Sequence, residues 1–420
     1  MIAIIFHRFG PYHWARLQAT CKVLPILAIE LSSETEEYLW DKVGGASGFK
    51  RVTLFPEGDS RKATTKELSR RLEDCLDANC VKMVAIPGWG DKGALVALRW
   101  CSVNHVPAVV MSDSISGDTL RAYWKEAIKR RVVTLCSSAL VAGTQHAEYL
   151  KTLGLLSDRI FLGYDAVDNR HFADKVAEVR SQKSEITIKC GLSGKFFLVP
   201  ARFILEKNLP RLIEAYARYR TLCETTSREP RAGSQQSEFQ VSDLRPPTSD
   251  LWSLVLLGDG ELRPAICSQI QALGLQDHVL LPGFKQYPEL PTYYGMASAM
   301  ILPSISETWG LVVNEAMASG LPVLVSNRCG CAQDLVQEGV NGFTFDPYNV
   351  EQMAQQMVRV WSMEPGARSK MGDASRQIIS VWGPERFAAG LEAAAECAIA
   401  VGPKRPSLMQ RMILKALLAR

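Results

Sequence analysis

Short apolar runs alternate with segments of helical spacing along most of this 420-residue chain. In the first half, the predicted strands Ile2–Phe6, 82–86 and 107–111 are separated by predicted helices such as 64–79. The pattern restarts at 195–199. Because parallel strands need long crossover connections, such alternation is typical of doubly wound parallel sheets. The sequence therefore predicts an α/β protein with two doubly wound parallel-sheet domains that face a central cleft.

Composition changes mark the expected domain boundaries. The first domain is predicted over 1–172, a charged linker over 173–194 and the second domain over 195–383. Residues 223–250 are rich in Ser, Thr, Glu, Arg, Gln and Pro, and we expect a flexible insert there because few large apolar groups are available for burial. The last twenty residues, 401–420, form a basic amphipathic tail.

The overall composition is that of a globular chain, with 47% hydrophobic and 22% charged residues. A net charge of only +4 argues against nucleic acid as the main partner. The eleven cysteines are scattered, and pairs such as Cys329 and Cys331 lack the histidine partners of a zinc site. This pattern predicts a reduced, cytoplasmic compartment. We expect no transmembrane helix, since no run of about twenty apolar residues occurs.

The most informative stretch is 299–327, which predicts a strand, a polar loop, a helix over 311–319 and a second strand. A helix that begins above a parallel sheet presents its first N–H groups to an anion such as phosphate. Glu307 lies in the loop and Glu315 within the helix, from where its side chain leans back toward the helix start. Carboxylates are good acceptors for sugar hydroxyls. The stretch therefore suits two sugar rings that are joined by a diphosphate.

The segment SETWGLVVNEAMASGLPVLVS resembles the signature of the family-4 retaining glycosyltransferases, also called glycosyl transferases group 1. The resemblance implies the GT-B fold, which has two Rossmann-like domains, and a last helix, here 384–400, that packs back on the first domain. It implies that Glu307 contacts the transferred sugar and Glu315 the ribose of the nucleotide. Donor-binding N–H groups are then expected from Thr308, Trp309, Gly310 and Leu311.

Two further segments of the second half resemble motifs of the same family. Arg202 and Lys207 follow the strand at 195–199, and the family's corresponding Arg and Lys bind the diphosphate. Asn208 stands where glycine is commoner in the family. Gly283 and Phe284 resemble the loop that holds the nucleobase through main-chain groups, although a plain turn explains them nearly as well.

Candidate residues in the first half follow predicted strands. His7, Gly10 and His13 lie on the loop after the first strand, where His13 is a candidate to hydrogen-bond the donor or the acceptor. Many relatives carry a cleft histidine after the strand that corresponds to 107–111, but this chain has Ser112-Asp113-Ser114. Which group handles the acceptor proton is therefore open, and Asp113 is a candidate.

These motifs predict a retaining, metal-independent glycosyltransferase that uses a UDP- or GDP-sugar and a glycan or lipid-linked acceptor, as in polysaccharide or glycoconjugate synthesis. Neither a cofactor nor a metal is expected, because arginine, lysine and helix N–H groups stabilise the leaving diphosphate. Asp165 and Asp168 have the wrong spacing for a D-x-D metal clamp.

Three other functions remain open from the sequence. Gly88-Trp-Gly-Asp-Lys-Gly93 matches the dinucleotide fingerprint of a nicotinamide-dependent oxidoreductase, although Trp89 is bulky and the motif falls mid-domain. Glu307 and Glu315 could serve a glycoside hydrolase. A non-enzymatic binder of sugar nucleotides would use the same residues as the transferase.

The tail segment 403–420 interleaves cations with leucine, isoleucine and methionine. Such a segment fits an anionic membrane surface, which would make the protein peripheral on the inner membrane face. It equally fits a helix that packs on the first domain.

Overall fold

The computed structural model describes residues 1–34, 40–45, 48–116, 123–182, 192, 194–226 and 251–419. The chain divides into two compact units. The first contains Met1–Asp168 together with Trp382–Arg420, and the second contains Asn169–Val381. The predicted α/β class is confirmed, because each unit is built on one parallel sheet flanked by helices.

The first unit contains a seven-stranded parallel sheet in the order β3-β2-β1-β4-β5-β6-β7. Its strands β1, β2 and β5 are buried along their whole length, as expected for a sheet covered on both faces. The strands are β1 Ile2–Phe6, β2 Ile26–Ser32, β3 Lys50–Phe55, β4 Met83–Pro87, β5 Ala108–Ser112, β6 Ser138–Val141 and β7 Ile160–Leu162.

The helices of the first unit cover this sheet, and they include the two helices at the end of the chain. They are α1 Pro11–Thr20, α2 Thr65–Asp77, α3 Lys92–Asn104, α4 Tyr123–Val133, α5 Thr144–Thr152, α14 Pro384–Val401 and α15 Leu408–Leu418. Helix α14 packs on the first sheet through Phe387, Leu391 and Ala398. Gly390 permits this approach, because a Cβ there would lie 2.4 Å from the carbonyl oxygen of Leu162.

The second unit contains a six-stranded parallel sheet in the order β10-β9-β8-β11-β12-β13. Its strands are β8 Phe196–Pro200, β9 Ser253–Leu257, β10 Val279–Leu280, β11 Ala299–Leu302, β12 Val323–Ser326 and β13 Gly342–Phe345. Its helices are α6 Asn169–Ser181, α7 Leu209–Thr226, α8 Arg263–Ala272, α9 Leu290–Met296, α10 Leu311–Ala318, α11 Ala332–Leu335, α12 Val350–Ser362 and α13 Pro365–Ile379.

The linker predicted over 173–194 was placed too early, because its first residues are helical. Residues 173–181 belong to α6, which packs against α9 and α10 of the second unit through Phe172, Val176 and Val179. Their spacing of three and four residues is a helical signal that the high charge of the segment obscured. Residues 183–191 and 193 of the predicted linker lie outside the described residues.

Two other boundaries also differ from the prediction. Helix α7 extends to Thr226, and Cys223 is buried, so the predicted insert at 223–250 begins later than expected. Residues 227–250 of that insert lie outside the described residues. The edge strand β7 was missed because its three residues are too few for a pattern. Among the described helices, none has both the length and the apolar character needed to span a bilayer.

Candidate functional site

The loops that follow β8 and β11 meet at the carboxyl edge of the second sheet. These strands are parallel neighbours, with Ala299 opposite Phe197. The two loops are joined directly, since the amide N–H of Ile305 donates to the carbonyl oxygen of Glu206 at 2.9 Å. The sheet order therefore brings the predicted cations at 202 and 207 to the same edge as Glu307.

Asn208 connects these loops with a third loop. Its backbone is left-handed at φ 55°, a conformation that asparagine tolerates better than most residues. The buried side-chain amide donates to the carbonyl oxygens of Pro303 at 3.1 Å and Pro347 at 2.8 Å. Its Oδ1 accepts a third hydrogen bond from Nη1 of Arg211 at 3.0 Å. Asparagine thus adopts a backbone conformation that glycine also favours, and it adds three hydrogen bonds that glycine cannot make.

Lys207 and Glu307 form an ion pair at this edge. The Nζ of Lys207 donates to Oε2 of Glu307, and the Ser304 hydroxyl donates to the same oxygen at 3.1 Å. The two charged side chains are only 15% and 16% exposed. A pair that is partly shielded from water interacts more strongly than a surface pair. Without a ligand, each of these groups therefore serves as the counter-charge of the other.

Arg202 is exposed, and the described residues supply neither a hydrogen-bond nor an ion-pair partner for its guanidinium. Its loop is held by the turn after β9, where the carbonyl oxygen of Asp259 accepts from the amide of Phe203 at 2.8 Å. A Cβ on Gly258 would lie 1.9 Å from the carbonyl oxygen of Ala201. The glycines of this turn are therefore required for the close contact that supports Arg202, a role that the sequence alone did not reveal.

Helix α10 begins at the same edge, as predicted from the glycine-containing loop. Gly310 is its N-cap residue at φ 105°, a conformation that favours glycine. Trp309 is buried rather than exposed to a ligand, and its indole N–H donates to Oδ1 of Asn314 at 2.9 Å. The tryptophan side chain therefore anchors the loop to the helix. Thr308 and Leu311 are partly exposed on either side of it.

Glu315 lies in α10 and is 1% exposed. Its Oε2 accepts a hydrogen bond of 2.6 Å from the Tyr294 hydroxyl, which also lies 3.4 Å from the carbonyl oxygen of Val312. Because Val312 belongs to the first turn, the carboxylate points back toward the helix start. Tyr294, on α9, is a residue that sequence reasoning missed, since nothing local connects it to Glu315.

The loop that carries Glu307 is supported from behind by the segment after β12. The amide of Gly330 donates to the carbonyl oxygen of Glu307, and that of Cys331 donates to the carbonyl oxygen of Trp309. Cys329 and Cys331 are fully buried. Burial, reinforced by Cys331 and by the negative charge of Glu307, raises the pKa of the Cys329 thiol well above its ordinary value. The Cys329 thiol therefore packs as a neutral group.

Gly283 and Phe284 follow β10, which lies at the edge of the second sheet. Gly283 has φ 81°, and a Cβ there would meet no other atom within 4 Å. Phe284 is exposed. The conformation of Gly283 accounts for the glycine, but it does not distinguish a nucleobase site from a plain turn.

In the first unit, His13 lies inside the first turn of α1, which begins at Pro11, and not on the preceding loop as predicted. Its Nδ1 accepts a hydrogen bond of 3.2 Å from the amide of Gly10. Burial, and then the positive charge of Arg16, lowers the pKa of His13 to about 3. The imidazole is therefore neutral near pH 7, and Nε2 is left as a donor rather than a proton acceptor.

Asp113 follows β5 and is partly exposed. His7 lies between two other carboxylates, with Nε2 3.4 Å from Oδ1 of Asp59 and Nδ1 3.8 Å from Oδ2 of Asp91. Within the described part of the chain, no three His, Cys, Asp or Glu side chains are grouped closely enough to hold a metal ion.

The glycine motif at 88–93 has a structural explanation. The Asp91 carboxylate caps α3 by accepting from the amides of Gly93 at 2.7 Å and Ala94 at 3.3 Å. These are the N–H groups that a pyrophosphate would use in a dinucleotide site. A carboxylate at that point would also repel a phosphate. The motif therefore forms a capped helix start, which argues against the oxidoreductase alternative.

Solved structures share the complete two-sheet architecture. Anabaena HepE in complex with UDP and glucose matches 93% of this chain and 98% of its own, with a TM-score of 0.64 and 16% identity. Identity this low shows the fold alone. The chain is thus a protein of the GT-B fold, with two Rossmann-like units.

Residues 189–378 match the family model described as glycosyl transferases group 1. This segment, which is less than half of the chain, resembles glycosyl transferases group 1, as the sequence motifs predicted. Alpha-D-kanosaminyltransferase of Streptomyces kanamyceticus is 26% identical over 200 residues, which are 47% of this chain and 45% of that protein. D-inositol 3-phosphate glycosyltransferase of Xylanimonas cellulosilytica is 26% identical over 314 residues, 72% of this chain and 68% of that protein. The chain thus spans less than half the length of the kanosaminyltransferase.

Proposed function

We propose that this protein transfers a sugar, with retention of its anomeric configuration, from a nucleotide diphosphate sugar to a glycan or lipid-linked acceptor. The observation that carries the proposal is the convergence of Arg202, Lys207, Glu307 and the start of α10 at one sheet edge. Open α/β sheets bind their ligands at the carboxyl ends of the strands. Sugar transfer is also the chemistry for which the family is named.

The cations of this edge suit the diphosphate of the donor. When the bond between the anomeric carbon and the diphosphate oxygen breaks, negative charge gathers on the leaving group. Exposed Arg202 offers a guanidinium that can bind two phosphate oxygens at once. Lys207 already lies against a carboxylate, so it can exchange that oxygen for a phosphate oxygen without first being desolvated. The N–H groups at the start of α10 add to this stabilisation.

The carboxylates suit the hydroxyls of the donor. Glu307 is partly exposed beside Lys207 and is assigned to the transferred sugar. Glu315 is assigned to the ribose, and it would share its hydrogen bond with Tyr294 when a hydroxyl binds. The Tyr294 contact orients the carboxylate before the donor arrives, which lowers the entropic cost of binding.

Retention of the anomeric configuration needs no enzyme nucleophile if the acceptor hydroxyl attacks the anomeric carbon from the same face that the diphosphate leaves. A diphosphate oxygen then takes the proton of the acceptor hydroxyl as the new glycosidic bond forms. Charge stabilisation by Arg202 and Lys207 makes a metal unnecessary in this scheme. His13, which is neutral and holds Gly10 through Nδ1, is assigned to donate a hydrogen bond, and Asp113 to orient the acceptor hydroxyl.

A UDP-sugar is the first donor to test, since HepE has been crystallised in complex with UDP-glucose. A GDP-sugar remains the second. Synthesis of a polysaccharide or glycoconjugate at the cytoplasmic side is the setting that fits such a donor.

The test combines nucleotide binding with product analysis. Thermal unfolding is measured with UDP, GDP, ADP and NADH, followed by a donor screen with mass detection of products and NMR assignment of the new anomeric centre. We expect stabilisation by UDP or GDP and transfer that persists in EDTA. Stabilisation by NADH alone would refute the transferase, and nucleotide binding without any product would identify a non-enzymatic binder.

Two variants separate the roles within the site. Arg202→Ala is expected to lower kcat at least tenfold, since a charge-assisted hydrogen bond contributes about 1.5–3 kcal/mol. Glu315→Gln is expected mainly to weaken nucleotide binding. Arg70→Ala is the control, because Arg70 is an exposed arginine of the first unit with only a 3.8 Å contact to Asp74. Equal turnover in all three variants would overturn the site assignment.

A further inference from the structure

A pocket of about 690 Å³ lies within the first unit, between the C-terminal helix α15 and the end of α3. The helix is fixed in place there. Leu414 and Leu418 are buried in the core of the unit, and the Thr65 hydroxyl donates to the carbonyl oxygen of Leu418 at 2.9 Å. At the other end of the helix, the Gln410 amide donates to the carbonyl oxygen of Arg131 at 3.0 Å. The tail is therefore a docked helix rather than a loose segment.

The charged side chains that line this pocket are all basic. Its lining includes Arg99, His105, Arg411 and Lys415, but neither an aspartate nor a glutamate. Arg99 is neutralised by Glu73, whose carboxylate lies 2.6 Å away. Arg411 and Lys415 are exposed and form no ion pair with any described residue. Two positive charges without a counter-charge thus lie beside a pocket that Leu414 and Leu418 make partly apolar.

The outer face of α15 adds a second, independent observation. Leu408, Met409 and Met412 are 76%, 53% and 63% exposed, and Val103 of the pocket wall is 70% exposed. Large apolar side chains are seldom grouped on a surface unless they contact a partner or a membrane. The same helix thus combines apolar side chains for an acyl layer with cations for anionic headgroups.

We propose that the pocket between α3 and α15 binds the phosphate headgroup of an anionic phospholipid, while Leu408, Met409 and Met412 enter the acyl region of the membrane. Arg411 and Lys415 contact the phosphate, and Thr65 and Ser102 line the same pocket. Packing on the first unit buries one face of α15 and holds the opposite face toward the membrane. The two interpretations of the tail, a helix packed on the first domain and a membrane-binding segment, are therefore compatible. The inference does not depend on the donor site of the second unit.

The test uses the full-length protein and co-sedimentation with vesicles of phosphatidylcholine, with or without phosphatidylglycerol. We expect binding to the vesicles that contain phosphatidylglycerol, and weaker binding as salt is added. A basic residue near an anionic surface contributes about fivefold to membrane affinity. Loss of two such residues should therefore weaken binding of the double variant Arg411→Glu/Lys415→Glu to these vesicles by at least about 25-fold.

A control pair carries the same change in net charge. Lys22 and Lys370 are exposed, do not line the pocket and form no ion pair with a described residue, so Lys22→Glu/Lys370→Glu should retain the affinity. Equal loss in both double variants, or equal binding to vesicles of phosphatidylcholine alone, would refute a specific anionic site. Thermal unfolding of both double variants shows whether either has merely failed to fold.

A soluble probe distinguishes a phospholipid from a free anion. Dihexanoyl phosphatidylglycerol, used below its micelle concentration, should raise the unfolding temperature, and inorganic phosphate at the same concentration should not. The rise should disappear in Arg411→Glu/Lys415→Glu. Equal stabilisation by phosphate would overturn the assignment to a lipid, and stabilisation by neither probe would overturn the pocket.

Discussion

The ion pair between Lys207 and Glu307 gives the sharpest test of the site without a ligand. Lys207→Met removes the charge but keeps the length of the side chain. It leaves the Glu307 carboxylate with the hydrogen bond from the Ser304 hydroxyl. Breaking a fully buried pair costs about 3–5 kcal/mol. Because both side chains are about one-sixth exposed, solvent screening reduces the expected loss to about 1–3 kcal/mol.

Glu307→Gln should cost a similar amount, since it leaves the lysine without its counter-charge. The double variant Lys207→Met/Glu307→Gln contains neither charge, so its loss should be smaller than the sum of the two single losses by about 1–2 kcal/mol. Hydrogen exchange of peptides that cover β8 and β11 measures these losses of stability locally. It therefore does not require the two units to unfold in one cooperative transition.

Lys195→Met is the matched control, because Lys195 is an exposed lysine directly before β8 and should change stability by less than about 0.5 kcal/mol. The reasoning is refuted if the losses of the two single variants add up in the double variant to within about 0.5 kcal/mol. Nucleotide binding gives a separate readout, since Lys207→Met should also weaken UDP or GDP binding about tenfold.

Three other perturbations follow from the structure. Asn208→Gly keeps the left-handed backbone but loses all three side-chain hydrogen bonds, so the second unit should lose about 2–3 kcal/mol. Asn208→Asp should lose more because its carboxylate faces two carbonyl oxygens; equal stability of both variants in hydrogen exchange would contradict this. Gly258→Ala should cost at least 3 kcal/mol, measured by denaturant unfolding, because the new Cβ would lie 1.9 Å from the carbonyl oxygen of Ala201. The pKa of His13 is lowered from 6.5 to about 3, so its contribution to stability is present above pH 6.5 and is lost toward pH 3, at up to about 1.4 kcal/mol per pH unit. His13→Gln keeps an acceptor for Gly10 but does not titrate, and it should therefore flatten the stability profile between pH 7 and 5; an unchanged slope would show that His13 is not the titrating group.

Local patterns predicted most strands and most helices correctly, because a buried parallel strand is a continuous apolar run and a helix has its own period. The segment around α10 was the clearest case, since Gly310 and Gly320 mark its start and end. Prediction failed where the local signal was weak. Edge strand β7 has only three residues, and the charges of α6 outweighed its apolar spacing.

The sequence by itself determined the fold class, the resemblance to glycosyl transferases group 1 and the residues with suitable chemistry, because these depend on residue type and on spacing over a few positions. Only the tertiary structure decided how they are paired. Lys207 meets Glu307 across one hundred positions, and Tyr294 meets Glu315 across twenty-one. Such contacts depend on the order of strands in the sheet and on the packing of helices over it, and neither is encoded in a short segment of chain. The tertiary structure was also needed for α15. Its amphipathic pattern fitted both a membrane-surface segment and a helix packed on the first domain, and only its packing showed which face is buried and which is exposed.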